Sequence, residues 1–180
     1  SLVPFAASSI PLVTLGTFFL WFGWFGFNGF SQLAMGTFDD VTAITKIAVN
    51  THLAGAAGVV TGAVVTRLLD SKTDVVMMLN GALAGLVAIT AEPLSPTPGL
   101  AIVIGSLGSL IMYFGTKFLE RRGLDDVVGA IPVHMFAGIF GTLIVPFTNA
   151  DTSFGTQFTG VLAVCSFSFI LSFIIFKILK

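Results

Sequence analysis

Charge is scarce in this sequence. Only 9% of the 180 residues are Asp, Glu, Lys or Arg, against roughly 25% in a soluble protein, and none occurs before Asp39. That shortage excludes an ordinary water-soluble fold. The 8 basic and 9 acidic residues nearly cancel and form no basic cluster, so nucleic-acid binding is set aside. Cysteine is almost absent: Cys165 alone, inside an apolar run, permits neither an intramolecular disulfide nor a thiolate metal cage. No metal, cofactor or catalytic site is expected, and the chain is not read as an enzyme. An initial Met and the basic flank of a signal peptide are also lacking, and the end follows directly on an apolar run, so truncation at both ends is expected.

Apolar residues fill the space that charge leaves. They make up 55% of the chain, Phe alone contributes 19, and the mean hydropathy is +1.00. Runs near the roughly 20 residues that cross a bilayer predict six spans, at about 11–34, 46–66, 75–92, 99–118, 126–147 and 158–177. The runs are continuous rather than alternating, which predicts helices and not a barrel. The expected fold is therefore all-α, a polytopic transmembrane bundle with short loops.

If successive spans alternate in direction, Arg67, Lys72, Lys117, Arg121, Arg122, Lys177 and Lys180 share one side and only Lys46 lies on the other. The positive-inside bias makes the first side cytoplasmic, with the C-terminus inside. Glycines three or four apart (Gly55, Gly58 and Gly62; Gly81 and Gly85; Gly105 and Gly108; Gly138 and Gly141) predict seams where backbones approach closely.

Few residues in such a chain can carry chemistry. Trp24, Phe27 and Ser31 share one narrow face of the first span, which offers an indole N–H, an aromatic plate and a hydroxyl at the outer end. The bland alternative is an interfacial aromatic belt; the sharper one is an aromatic lining that attracts a small cation. His134 shares its helical face with Ala137, Gly138 and Gly141, so its imidazole is expected to point into the bundle. An ionisable group there is a functional candidate, with a structural histidine as the alternative. His52 is read as structural or interfacial, near the outer start of its span. Asn50 is read as a helix-packing residue or polar bridge, and Asp125 and Asp126 as caps at the start of the fifth span.

Several ordered motifs then point to a family. Trp24-Phe25-Gly26-Phe27-Asn28, Ala48-Val49-Asn50-Thr51, the run Asn80 to Thr90, Asp125 to His134, and Gly138-Ile139-Phe140-Gly141-Thr142 follow one another along nearly the whole chain. Together they resemble the ammonium transporter family (Amt/MEP/Rh), its Amt branch most closely. The resemblance implies an eleven-span fold of two inverted five-span repeats plus a last helix. This chain resembles its sixth to eleventh spans, with the first repeat missing.

It further implies a homotrimer with one pore per subunit, ammonium or ammonia as substrate, and a cell (inner or plasma) membrane location. A PII-type cytoplasmic regulator is a possible partner of such proteins. In that frame Phe27 is similar to one of two stacked gate phenylalanines, Ser31 to the hydroxyl of the external ammonium site, Trp24 to a pore-lining tryptophan, and His134 to the second of two mid-pore histidines. Two positions depart from the pattern. Phe30 replaces a small residue and is expected to narrow the outer vestibule, while Met135 replaces a glycine and is expected to fill a helix contact. The function expected is ammonium transport through a histidine-lined pore. An ammonium sensor coupled to a cytoplasmic signalling domain and a non-conducting structural subunit are the alternatives.

Overall fold

The computed structural model describes residues 8–180, and all regular secondary structure among them is helical. Helix α1 runs Ile10–Phe30, α2 Phe38–Leu69, α3 Val75–Thr90 and α4 Pro98–Arg121. The next span is composite: a π-helical segment Ile131–Phe136, helix α5 Ala137–Ile144 and a short 3-10 turn Val145–Phe147. Helix α6, Phe154–Leu179, closes the chain. Four helices (α1, α2, α4 and α6) are long and apolar enough to cross a membrane. At 16 residues α3 is about 24 Å long, short of a hydrocarbon core of roughly 30 Å.

The helices begin where polar side chains can satisfy free N–H groups. Ser9, Asp74, Thr97 and Ser153 each accept a hydrogen bond from the backbone three residues on. Thr37 and Asp40 form a reciprocal capping box that starts α2 at Phe38, well before the apolar run at 46. The first helix stops at Phe30 although apolar residues continue beyond it. The polar pair Ser31-Gln32 turns the chain, and Leu33 takes a positive φ of 62°.

Helix α3 is the centre of the bundle: every residue from Gly81 to Leu86 is buried. One core cluster joins Leu83, Ala84 and Leu86 to Met112 of α4 and to Val133 and Ala137 of the fifth span, with Trp21 and Trp24 of α1 packed against it. The glycine seams are contacts between backbones. A Cβ on Gly58 would collide with the Gly81 carbonyl, one on Gly105 or Gly85 with the Ala54 carbonyl, and one on Gly141 with the Ala88 carbonyl. Helix α6, by contrast, has no buried residue.

Polar groups lock the same ends of the helices together. Asn28 of α1 donates to the buried Thr51 Oγ1 of α2 at 3.0 Å. The fully buried Asn50 donates to the carbonyls of Pro93 and Pro96, each at 2.9 Å, tying α2 to the breaker between α3 and α4. Glu92 in that breaker accepts from Asn149 Nδ2 at 2.9 Å. At the opposite end Asp70 accepts from Tyr113 Oη at 3.0 Å and lies 3.6 Å from Lys117 Nζ.

Candidate functional site

The face of α3 that carries Val87 and Thr90 organises the candidate site. Trp24 reaches it from α1, where the indole N–H donates to Thr90 Oγ1 at 2.7 Å. The threonine hydroxyl in turn donates a hydrogen bond to the Leu86 carbonyl at 2.6 Å. On the other flank, the position of a Cβ on Gly138 would lie 3.6 Å from Val87 Cγ1. His134 stands four residues before Gly138. Helix α3 thus holds α1 and the fifth span side by side, with the Trp24 and His134 segments on its two flanks.

Thr90 was not singled out from the sequence. It closes the run from Asn80, and its value as an acceptor depends on a contact 66 residues away in the chain. That contact also consumes the indole N–H which the sequence offers to a substrate, so Trp24 presents its ring and not a donor.

Phe27 is 64% exposed and meets Trp24 edge to face, ring centroids 6.0 Å apart. Ser31 is exposed and donates to the Phe27 carbonyl at 2.8 Å. With its proton committed, the serine oxygen keeps its lone pairs for an incoming donor. Phe30 is 75% exposed and its ring lies back along α1, close to Gly26. It also lines a cavity of about 260 Å³ with Leu33, Met35 and Ile44.

His134 sits in the first part of the composite fifth span and is exposed in this chain, while Pro132, Val133, Ala137 and Gly141 are buried. The segment that carries it, Ile131–Phe136, is π-helical, and its i→i+5 bonding widens the turn. Met135 is also exposed, at 46%.

The start of this segment is built by its flanking residues. Asp126 accepts from the N–H groups of Ala130 and Ile131 at 3.0 and 2.7 Å. Gly129 takes φ +73°, a region that favours glycine, against the Asn80 amide. Asn80 Nδ2 in turn donates to the Val128 carbonyl at 3.2 Å. Asp126 lies in the loop, five residues ahead of Ile131, and Asp125 is exposed beside it.

His52 sits differently from its sequence-based position. Because α2 begins at Phe38, this residue lies about four turns into the helix rather than near its start. Its exposed ring packs against Trp21, at 5.6 Å, and stacks with Phe25, at 6.1 Å. It is on the α1–α2 side and does not share the α3 face with His134.

Comparison with known proteins places this arrangement. Residues 3–180 match the model of the Ammonium Transporter Family. The chain is 48% identical to ammonium transporter Amt2 of Archaeoglobus fulgidus over 151 residues, covering 84% of this chain and 31% of that protein. The fold superposes on a solved Sensor Amt Protein with a TM-score of 0.87 at 35% identity, covering 96% of this chain and 44% of that one. It also superposes on Candida albicans Mep2 with a TM-score of 0.83 at 27% identity, covering 93% and 40%. The chain therefore spans less than half the length of each. With the family model matched over almost its whole length, this chain belongs to the ammonium transporter family.

Proposed function

We propose that these helices form one wall of a path that carries ammonium or ammonia across a membrane, with His134, Phe27, Ser31 and Trp24 lining it. The observation that supports this reading is the α3 face, which holds the Trp24 and His134 segments on adjacent flanks while Phe27, Ser31 and His134 stay open. In this reading the segment is a multi-pass part of a cell-membrane protein with a cytoplasmic C-terminus. It assembles as a homotrimer, one path per subunit, and a PII-type regulator docks on its cytoplasmic side. The rest of the longer protein supplies the opposite wall.

Ammonium is a hydrogen-bond donor without an acceptor. Ser31 suits it because the hydroxyl proton is spent on the Phe27 carbonyl and the oxygen is left to accept. The Phe27 ring adds the attraction of its π face for a cation, worth about 0.5–2 kcal/mol. A bare cation is costly in hydrocarbon, so the proton has to be handled apart from neutral ammonia. A neutral imidazole offers one donor and one acceptor nitrogen, which lets His134 take up or orient that proton.

The test is His134→Ala in the full-length protein, reconstituted in vesicles. The expected outcome is an altered transport rate or ammonium selectivity between pH 5 and 8. Unchanged current and selectivity across that range would reject a proton-handling role.

A second reading, an ammonium sensor, is favoured by the name of one structural neighbour, Sensor Amt Protein. Ammonium binding without measurable flux, together with a signalling domain encoded beyond Lys180, would support it over transport.

A further inference from the structure

We infer that Asn80 of α3 is a positioning residue for His134, a role that rests on the proton-handling reading given above. Its amide ties down the chain just ahead of the π-helical segment and so fixes the backbone that carries the imidazole. Every contact involved lies within this chain.

The need for such a tie comes from Pro132. Along a helix a carbonyl accepts from the N–H four residues on. For Val128, just ahead of the segment, that residue is Pro132, which has no N–H. Asn80 Nδ2 supplies the donor instead, at 3.2 Å. The next residue, the buried Gly129, runs against the same amide with φ +73°. Its carbonyl accepts from the N–H of Val133 at 3.2 Å, and Val133 immediately precedes His134. A route of two hydrogen bonds therefore joins α3 to the histidine.

Both sides of this route are held. Gly81, next to Asn80, is buried, and a Cβ on it would stand 2.6 Å from the Gly58 carbonyl oxygen of α2 and 2.7 Å from Ser109 Oγ of α4. Asn80 thus projects from a closely packed stretch where α3 has no room to shift. On the far side, Pro132 and Phe136 stand two residues before and after His134. A Cβ on Gly115 of α4 would collide with the Phe136 ring and come within 3.3 Å of Pro132 Cβ, so the bare glycine makes the seat for both. Asp126 takes the N–H groups of Ala130 and Ile131, but it belongs to the same loop and cannot fix the segment against the bundle. Among the described residues, the Asn80 bond is the only side-chain hydrogen bond between residues 124–130 and another helix. A group that passes a proton has to be held within about 0.5 Å of its productive place, and Asn80 supplies the upstream half of that support.

The test measures ammonium transport by the full-length protein in vesicles. Asn80→Leu, close in shape but without a donor, should lower the maximal rate about three- to tenfold. The half-saturating ammonium concentration should stay unchanged, because Ser31 and Phe27 lie on a different helix. In a His134→Ala background Asn80→Leu should have no further effect, a result that a role in stability alone would not produce. Tyr113→Phe, which removes the bond to Asp70 between α4 and the end of α2, should leave the rate as it is. Hydrogen exchange should quicken at Val133 and His134 in Asn80→Leu and not in Tyr113→Phe. Should Leu prevent folding, Asn80→Asp keeps the shape, has no N–H to give and should act in the same way. Equal rates in wild type and Asn80→Leu while His134→Ala alters transport would overturn the inference and leave the reading of His134 intact. Unchanged exchange at Val133 and His134, or an equal further loss of rate in the His134→Ala background, would also overturn it. A silent His134→Ala would reject the proton-handling reading itself, and the positioning role with it.

Discussion

Gly58 and Gly81 touch through their backbones, so the smallest side chain at either position has nowhere to go. Gly58→Ala would force α2 and α3 apart against the Gly81 carbonyl, and the expected cost is about 1–3 kcal/mol. Gly16 offers the matched comparison, since a Cβ there meets nothing within 4 Å. Gly16→Ala should be neutral or stabilising by up to about 1 kcal/mol, because it only lowers the flexibility of the unfolded chain. Thermal unfolding of the two variants in detergent checks both, and a similar midpoint for Gly58→Ala and Gly16→Ala would contradict the close seam. The same local logic separates the two histidines. His52 is stacked on aromatic rings of its own unit, whereas His134 takes its place from a distorted turn.

At the level of elements, the fifth span depends on a device outside itself. Asp126 caps the π-helical segment from the preceding loop and receives two backbone N–H groups. Asp126→Ala should cost about 0.5–2 kcal/mol and expose the amides of Ala130 and Ile131. Hydrogen exchange on the full-length protein should show faster exchange there and little change in α2 or α4. Legibility from the sequence also divides by element. Uninterrupted apolar runs made α4 and α6 readable to within a few residues, because length and hydropathy alone specify such helices. The start of α2 was hidden, since eight residues with two aspartates precede its apolar run and only the Thr37–Asp40 box reveals the helix. The π-helical segment was hidden for a different reason: nothing in the letters Ile131-Pro132-Val133-His134-Met135-Phe136 distinguishes a wide turn from an ordinary one. Trp24 and Phe27 lie within the regular part of α1, and Ser31 is its C-cap, so helical spacing describes their placement.

For the whole molecule, the strongest global signal is the sidedness of charge. Seven of the eight basic residues share one side if spans alternate. A cysteine at Lys72 or Arg122, in a Cys165→Ser background, should react with an impermeant reagent only from the cytoplasm. Labelling from outside would reverse the orientation. Both positions are exposed at helix-connecting turns, so accessibility does not limit the reaction.

The wide turn at Ile131–Phe136 also bears on how the chain can change in length. It amounts to one additional residue threaded into an otherwise helical span. The downstream half is pinned, with Gly141 against Ala88. The upstream half is pinned as well, with Gly129 against Asn80. Deleting one residue between 131 and 136 would let the turn close as an α-helix, but one of the two anchored halves would then have to rotate by about 100° and shift by about 1.5 Å. Neither anchor allows it without breaking its contact, with the Ala88 backbone in one case and the Asn80 side chain in the other. A lineage carrying this span can therefore exchange residues within the turn while its residue count stays fixed, whereas the exposed loop at 122–125 can lengthen or shorten without moving His134.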